Sequence, residues 1–411
     1  MRHADSFILE KYVATQIATN ISIPKPRFSK TSKQIIEKLY SQIKHAEILF
    51  DKENLVADIS HKSVFGANFG HIPRDIRIVI ENMKDTISCK YKFYINTRTI
   101  EVNMLCSRKN VSDPDRFFSD AIRRIYTWFS VASHYAAAAC SRELRIFIYF
   151  TDIKKSLPEG GTMPIGQKHA NTAFTFSCKP SNEINIFRYE EWFKVLIHES
   201  FHSMGLDFSQ FNQTKTNRCI LDMFPVKSDV RLFETYCESW AEMINVMFIV
   251  LFESNFKKNK ENSSSLMKQT HEYLYVETLF SMFQCSKVLH HFGLDYKTMC
   301  EKTATADKKR KSRYREETQI LSYYVLKPIC MFYMDDFIQW CVKHNGEKVL
   351  DFGKGDNLDK NMGDYCGFFR DHYLDMQYVN IMEEIENLVS KSVTNSDFNF
   401  EMETLRMTIL G

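Results

Sequence analysis

Glycine and proline are scarce in this chain, 13 and 9 of 411 residues, which excludes a fibrous or low-complexity polymer. A hydrophobic fraction of 44% excludes a disordered one. Charge of one sign is also lacking: 54 Lys+Arg against 51 Asp+Glu leave +3. No global field draws the chain onto nucleic acid or an anionic membrane, so neither is expected as a partner. No CxxC pair occurs among the 11 cysteines. An odd, scattered set reads as reduced, buried thiols, and hence as an intracellular, cytoplasmic protein. The N-terminus has no apolar stretch of the kind a secretory signal needs. The longest apolar run, Met243 to Phe252, is interrupted by Asn245 and falls far short of the about 20 residues that span a bilayer.

What is present is ordinary globular text. At about 150 residues per domain the length suggests two or three units. The pattern divides into an N-terminal α/β region (1–110), a central part (111–256) and a helical C-terminal region (257–411). KYKFYINTRTIEVNML predicts a hairpin around Asn96-Thr97. A helix follows Asp113-Pro114, and strands are expected at Arg145–Thr151, Thr172–Cys178 and Glu183–Arg188. YEEWFKVLIHESFHSM reads as a helix closed by Gly205. Beyond it lie helices over 230–256, 266–291, 316–344 (kinked near Pro328) and 376–390, separated by loops at 257–265, 307–315 (basic) and 353–367. The fold class is therefore α+β, a mixed part followed by a helical one.

The chemistry is concentrated in His198-Glu199-Ser200-Phe201-His202, an H-E-x-x-H. Residues four apart lie one above the other on a helix, so both imidazoles can reach one Zn²⁺. Glu199, rotated by about 100°, sits beside such an ion, where it can act as general base on a metal-activated water. Trp192, Phe193, Val195, Leu196, Ile197 and Phe201 make the helix a buried one, and buried polar groups need partners.

A catalytic zinc needs a third protein ligand. Six residues past His202 stands Phe208, with Asp207 one step short. FETYCESWAEMIN instead offers Glu234, Glu238 and Glu242, spaced by four and so on one helical face. Three aligned carboxylates among apolar neighbours repel one another unless a cation lies between them.

HESFH followed by ESWAE resembles the gluzincins, the zinc-peptidase group that includes thermolysin and anthrax lethal factor. The likeness covers roughly residues 145–256. It implies a zincin-like core, a small mixed sheet plus the active-site helix, within 111–256, with the helical region completing a cleft. It implies Glu238 as third ligand, in an E-x-x-A-E setting, and Glu242, four positions on, orienting the first histidine. Asn171, Thr172, Ala173 and Phe174 match the edge strand that cradles an extended peptide. Among Tyr236, Tyr323, Tyr324, His290 and His291, Tyr324 is taken as the oxyanion-stabilising group. The composition, rich in Phe, Lys, Ile and Asn, is loosely similar to metallopeptidase-like proteins of large DNA viruses, which would place the chain in a virion or virus factory.

The expected activity is zinc-dependent peptide hydrolysis. Two alternatives stand beside it. One is a structural or interaction protein, such as a virion component, whose zinc only ties two helices together. The other is a zinc hydrolase acting on a small, non-peptide substrate.

Overall fold

Alternating burial builds the first half of the sheet. The computed structural model describes residues 4–161, 163–253 and 263–411. Strand β1 (Asp58–Ser60) pairs antiparallel with β2 (Thr86–Ile95), which turns through Asn96 and Thr97 into β3 (Arg98–Ser107). Asn96 takes a positive φ of 54°, as a tight hairpin requires.

Helix α1 (Pro114–Ala132) starts where Asp113 accepts a hydrogen bond from the Arg116 amide at 3.1 Å, with Pro114 in the first turn. It carries the chain over to β4 (Glu143–Phe150), parallel to β3. The apolar run IFIYF in β4 suits a strand covered on both faces. β5 (Ala173–Thr175) and β6 (Ser181–Ile186) complete the order β1-β2-β3-β4-β6-β5, with β5 at the edge. The protein is thus a mixed α/β fold with a six-stranded mixed sheet and many helices.

Beyond the sheet, α2 (Trp192–Ser203) packs on α3 (Leu232–Glu253), and α3 on α4 (Ser263–His291). A single large core draws buried residues from Leu9 through to Leu410. Residues 405–410 are almost wholly buried. Glu277 of α4 accepts the amides of Ile409 and Leu410 at 3.0 and 2.9 Å, and Asn245 of α3 donates to the Leu410 carbonyl at 2.7 Å.

Several sequence expectations change. The basic stretch 307–315 is no loop: most of it lies in a helix, Ala304–Arg313, capped by Thr303. The segment 353–367 becomes helical from Leu358 to His372, because Tyr365, Phe368 and Phe369 bury one face and outweigh the intrinsic cost of Gly363 and Gly367. The continuous helix expected over 316–344 is broken into a π-helical turn, Leu321–Leu326, and helices Lys327–Phe332 and Met334–Asn345. Of the loop expected at 257–265, residues 257–262 lie outside the described residues.

The expectation of eleven reduced thiols also fails. Cys140 pairs with Cys178 and Cys219 with Cys366, across sequence separations of 38 and 147. Such distant partners leave no spacing signature. The other seven cysteines are free and buried. No helix among the described residues is long and apolar enough to cross a membrane.

Candidate metal centre

The segment that carries the histidines is fixed at both ends. Glu191, in a left-handed conformation (φ 60°), starts α2 directly after the sheet, and Gly205 (φ 66°) ends it. A side chain at Gly205 would also run into the Cys140 sulfur, so the disulfide presses against this turn. Trp128 of α1 donates its indole N–H to Ser200 Oγ at 2.7 Å, fixing the helix from its far side. The remaining face, with His198 and His202, turns toward α3.

Three ligand atoms converge there. Glu234 Oε2 lies 3.0 Å from His198 Nε2 and 3.3 Å from His202 Nε2, and the two nitrogens are 3.1 Å apart. All three side chains are buried. Two imidazole lone pairs and a carboxylate oxygen so close together repel unless a proton or cation lies between them. Ligands of tetrahedral zinc at about 2.0 Å are separated by about 3.3 Å, so this triangle fits such an ion.

The opposite ring nitrogen of His202 is hydrogen-bonded, and that of His198 has a carboxylate close by without a hydrogen bond to it. Asp207 Oδ2 stands 2.5 Å from His202 Nδ1, and Ser209 donates to Asp207 Oδ1 at 2.9 Å. Glu238 Oε1 stands 3.0 Å from His198 Nδ1. Carboxylates at Nδ1 favour the tautomer that leaves Nε2 free for a metal.

The electrostatics reflect this crowding. Burial alone would push the Glu234 carboxyl up, yet the imidazoles of His202 and His198 hold it far below the usual range. Burial would lower His202, but Cys237, Glu234 and Asp207 raise it well above the ordinary value. For Glu238, burial is outweighed by Lys194, His198 and Lys327, and the carboxyl is held well below normal. The Glu199 carboxyl is raised by burial, against the pull of His198 and His202.

Glu238, the third ligand expected from the sequence, does not stand at the Nε2 atoms but beside His198 Nδ1. Glu234, not Glu238, meets the two Nε2 atoms, because α3 crosses α2 near its own first turn. Glu238 falls one turn further, on the back of His198, the place assigned to Glu242. Glu242 has moved out of the site altogether: its Oε2 is 2.5 Å from Lys327 Nζ. The motif in register is Glu234-Thr235-Tyr236-Cys237-Glu238, so the E-x-x-A-E likeness loses its alanine.

Tyr324 is corrected as well. Its hydroxyl donates to the Leu405 carbonyl at 2.5 Å. Neighbouring residues on a helix point about 100° apart, and Tyr323 takes the place at the site, donating to Glu234 Oε2 at 3.1 Å.

A small hollow of about 20 Å³, about the room one water needs, opens beside His198, lined among others by Thr172, Ala173, Val195, Glu199, Tyr323 and Met407. Asn171 also borders it, but its side chain accepts from Thr318 and its carbonyl from Arg188. Thr172 accepts the Phe187 amide at 2.9 Å. Ala173 and Phe174 belong to β5 itself.

Asp207 and Lys194 were missed as site residues, and Tyr323 was among the candidates but passed over for Tyr324. The signal for Asp207 was Gly205, whose left-handed turn brings the chain back onto His202. The signal for Lys194 was its place one turn before His198 on a buried helix. Among the described residues a second group, His202, Asp207 and Cys237, could hold a metal ion, but it shares His202 with the first. Neither a family model, nor a curated protein, nor a solved structure matches the chain.

Proposed function

We propose that the chain is a zinc-dependent metallopeptidase of gluzincin type, with His198, His202 and Glu234 holding the ion. The observation that carries this reading is the triangle of Nε2, Nε2 and Oε2 with edges of 3.0 to 3.3 Å. The resemblance supports it: with Glu234 as ligand, Glu238 is the acidic residue four positions on that orients the first histidine. A zincin-like core, with β5 as the edge strand beside the active helix, belongs to the same proposal.

When bound, zinc supplies acidity to a water and polarises a carbonyl oxygen. The chain's own groups do the rest. Glu199 borders the hollow, next to His198 on the helix, and its burial favours holding a proton. It takes a proton from the attacking water and returns it to the leaving amine. The Tyr323 hydroxyl faces the same space and can donate to the negative charge that develops on the substrate oxygen. The edge of β5 holds an extended peptide by backbone hydrogen bonds, which tolerates many sequences.

The deciding experiment is Glu199→Gln in the full chain. Metal content should stay near one equivalent while cleavage of a peptide library disappears. Activity that survives the change removes Glu199 as base. One observation favours a second reading: the donor atoms are deeply buried and the hollow is small. A non-catalytic zinc tying α2 to α3 would give a protein that chelation destabilises but that hydrolyses no peptide before or after.

A further inference from the structure

Two lysines occupy positions where buried helices rarely admit one. Lys194 lies one turn before His198 on α2, and Lys327 follows the π-helical turn; their exposures are 0% and 1%. Lys194 Nζ is bonded to Glu238 Oε2. Lys327 Nζ reaches Glu242 Oε2 at 2.5 Å, the Met407 carbonyl at 2.7 Å, and stands 3.9 Å from Glu238 Oε2. Glu238 is consequently a two-sided carboxylate. One oxygen faces the ammonium groups and the other stands 3.0 Å from His198 Nδ1, a close charge contact without hydrogen-bond alignment.

We infer that Lys194, backed by Lys327, is a positioning residue of the metal centre: acting through Glu238, it sets the direction in which His198 presents Nε2. The terminal torsion of a glutamate is broad and nearly two-fold, so a carboxylate alone does not hold a fixed plane. An ammonium group on Oε2 picks one plane and leaves Oε1 to the imidazole. His198 is then held from behind, with its Nε2 aimed at Glu234 and His202. Lys327 is itself fixed by Glu242 and by the buried segment at Met407, so α3, the Lys327 helix and the buried C-terminal segment all bear on one imidazole.

A merely structural ion pair is the competing account. Removing one partner of a buried pair strands the other charge and destabilises the fold on either account. The two accounts therefore separate in metal binding and not in folding. The inference rests on the metal reading above, and the experiment distinguishes the two failures.

Full-length wild type, Lys194→Met, Lys194→Arg and Lys327→Met are stripped of metal. Zn²⁺ affinity is measured by competition with a chromophoric chelator, and the Co²⁺ absorption spectrum and the melting temperature of the metal-free protein are recorded. Lys194→Met should bind Zn²⁺ about 10- to 100-fold more weakly, the range for partners of metal-bound histidines, with an altered Co²⁺ spectrum. Lys194→Arg should recover most of the affinity, and Lys327→Met should lose less than Lys194→Met. Unchanged affinity and spectrum in Lys194→Met overturn the inference. If that variant does not fold, unchanged affinity in Lys327→Met overturns it instead. A wild-type chain that binds no Zn²⁺ sinks the metal reading itself, and the inference with it.

Discussion

Tyr323 donates its hydroxyl to Glu234 Oε2 at 3.1 Å, the same oxygen that faces both imidazole Nε2 atoms. One phenol thus borders the converging donors and the hollow beside them. Its neighbour Tyr324 is turned away, bonded to the Leu405 carbonyl. The pair offers an internal control, two adjacent tyrosines with one hydroxyl at the site and one in the core. Tyr323→Phe should lower the rate of peptide hydrolysis by about 10²- to 10³-fold while the melting temperature barely moves. Tyr324→Phe should do the reverse, costing about 1 kcal/mol of stability with activity retained. Steady-state kinetics and thermal melts on both variants check this, and equal activities would remove Tyr323 from the reaction.

The three glutamates of α3 should separate by role. Glu234→Gln takes away a ligand, so bound zinc should fall well below one equivalent after dialysis. Glu238→Gln should keep the ion but weaken it by about 10- to 100-fold. Glu242→Gln should leave metal binding within a few-fold of wild type, yet cost about 3–5 kcal/mol by stranding the buried Lys327 charge. Elemental analysis and denaturant melts read these outcomes. Full zinc content in Glu234→Gln would refute the assignment of that ligand.

The two histidines were legible in the sequence because their spacing matches one helical turn, a local property. The spacing of Glu234, Glu238 and Glu242 likewise announced a shared face. Which of the three meets the histidines was not legible. It depends on where α3 crosses α2, and a shift of one turn preserves the whole pattern. Tyr323 and Tyr324 pose the same problem on a smaller scale, since rotation about the π-helical turn decides between them. The hairpin through Asn96 and the strands β4 and β6 followed from β-branched and aromatic runs. The helix at 358–372 did not, since Gly363 and Gly367 suggest a loop until tertiary burial of Tyr365 and Phe369 is known.

The Cys140–Cys178 bond closes a 38-residue separation and lies against the Gly205 turn at the end of α2. Cys178 also donates its amide to the His202 carbonyl at 2.9 Å. Constraining a loop of that length stabilises the folded chain by about 3–4 kcal/mol in the chain-entropy model. Cys178→Ser should therefore lower stability by about that amount and weaken zinc binding. Peptide mapping without reductant should recover the Cys140–Cys178 pair, whereas alkylation of both Cys140 and Cys178 in denaturant without reductant would refute the bond.

Glu386 gives a pH dependence away from the metal centre. Burial pushes its carboxyl up to about 7, against the hydrogen bond donated by the Tyr296 amide at 2.6 Å, with Asp295 and Glu383 adding to the rise. The unfolded chain has the ordinary value near 4.5, so between about 4.5 and 7 the folded state binds the extra proton. Its contribution is fully present below about 4.5 and is lost as pH climbs through about 7. Above that, the folded protein carries a poorly solvated anion. Glu386→Gln keeps an acceptor for Tyr296 but cannot ionise. Relative to wild type it should be nearly neutral at pH 5 and more stable by about 2 kcal/mol at pH 8. Denaturant melts in chelator at both pH values isolate this difference, because the site histidines contribute equally to the two proteins. The same stability difference at pH 5 and pH 8 would show that Glu386 ionises normally in the folded chain.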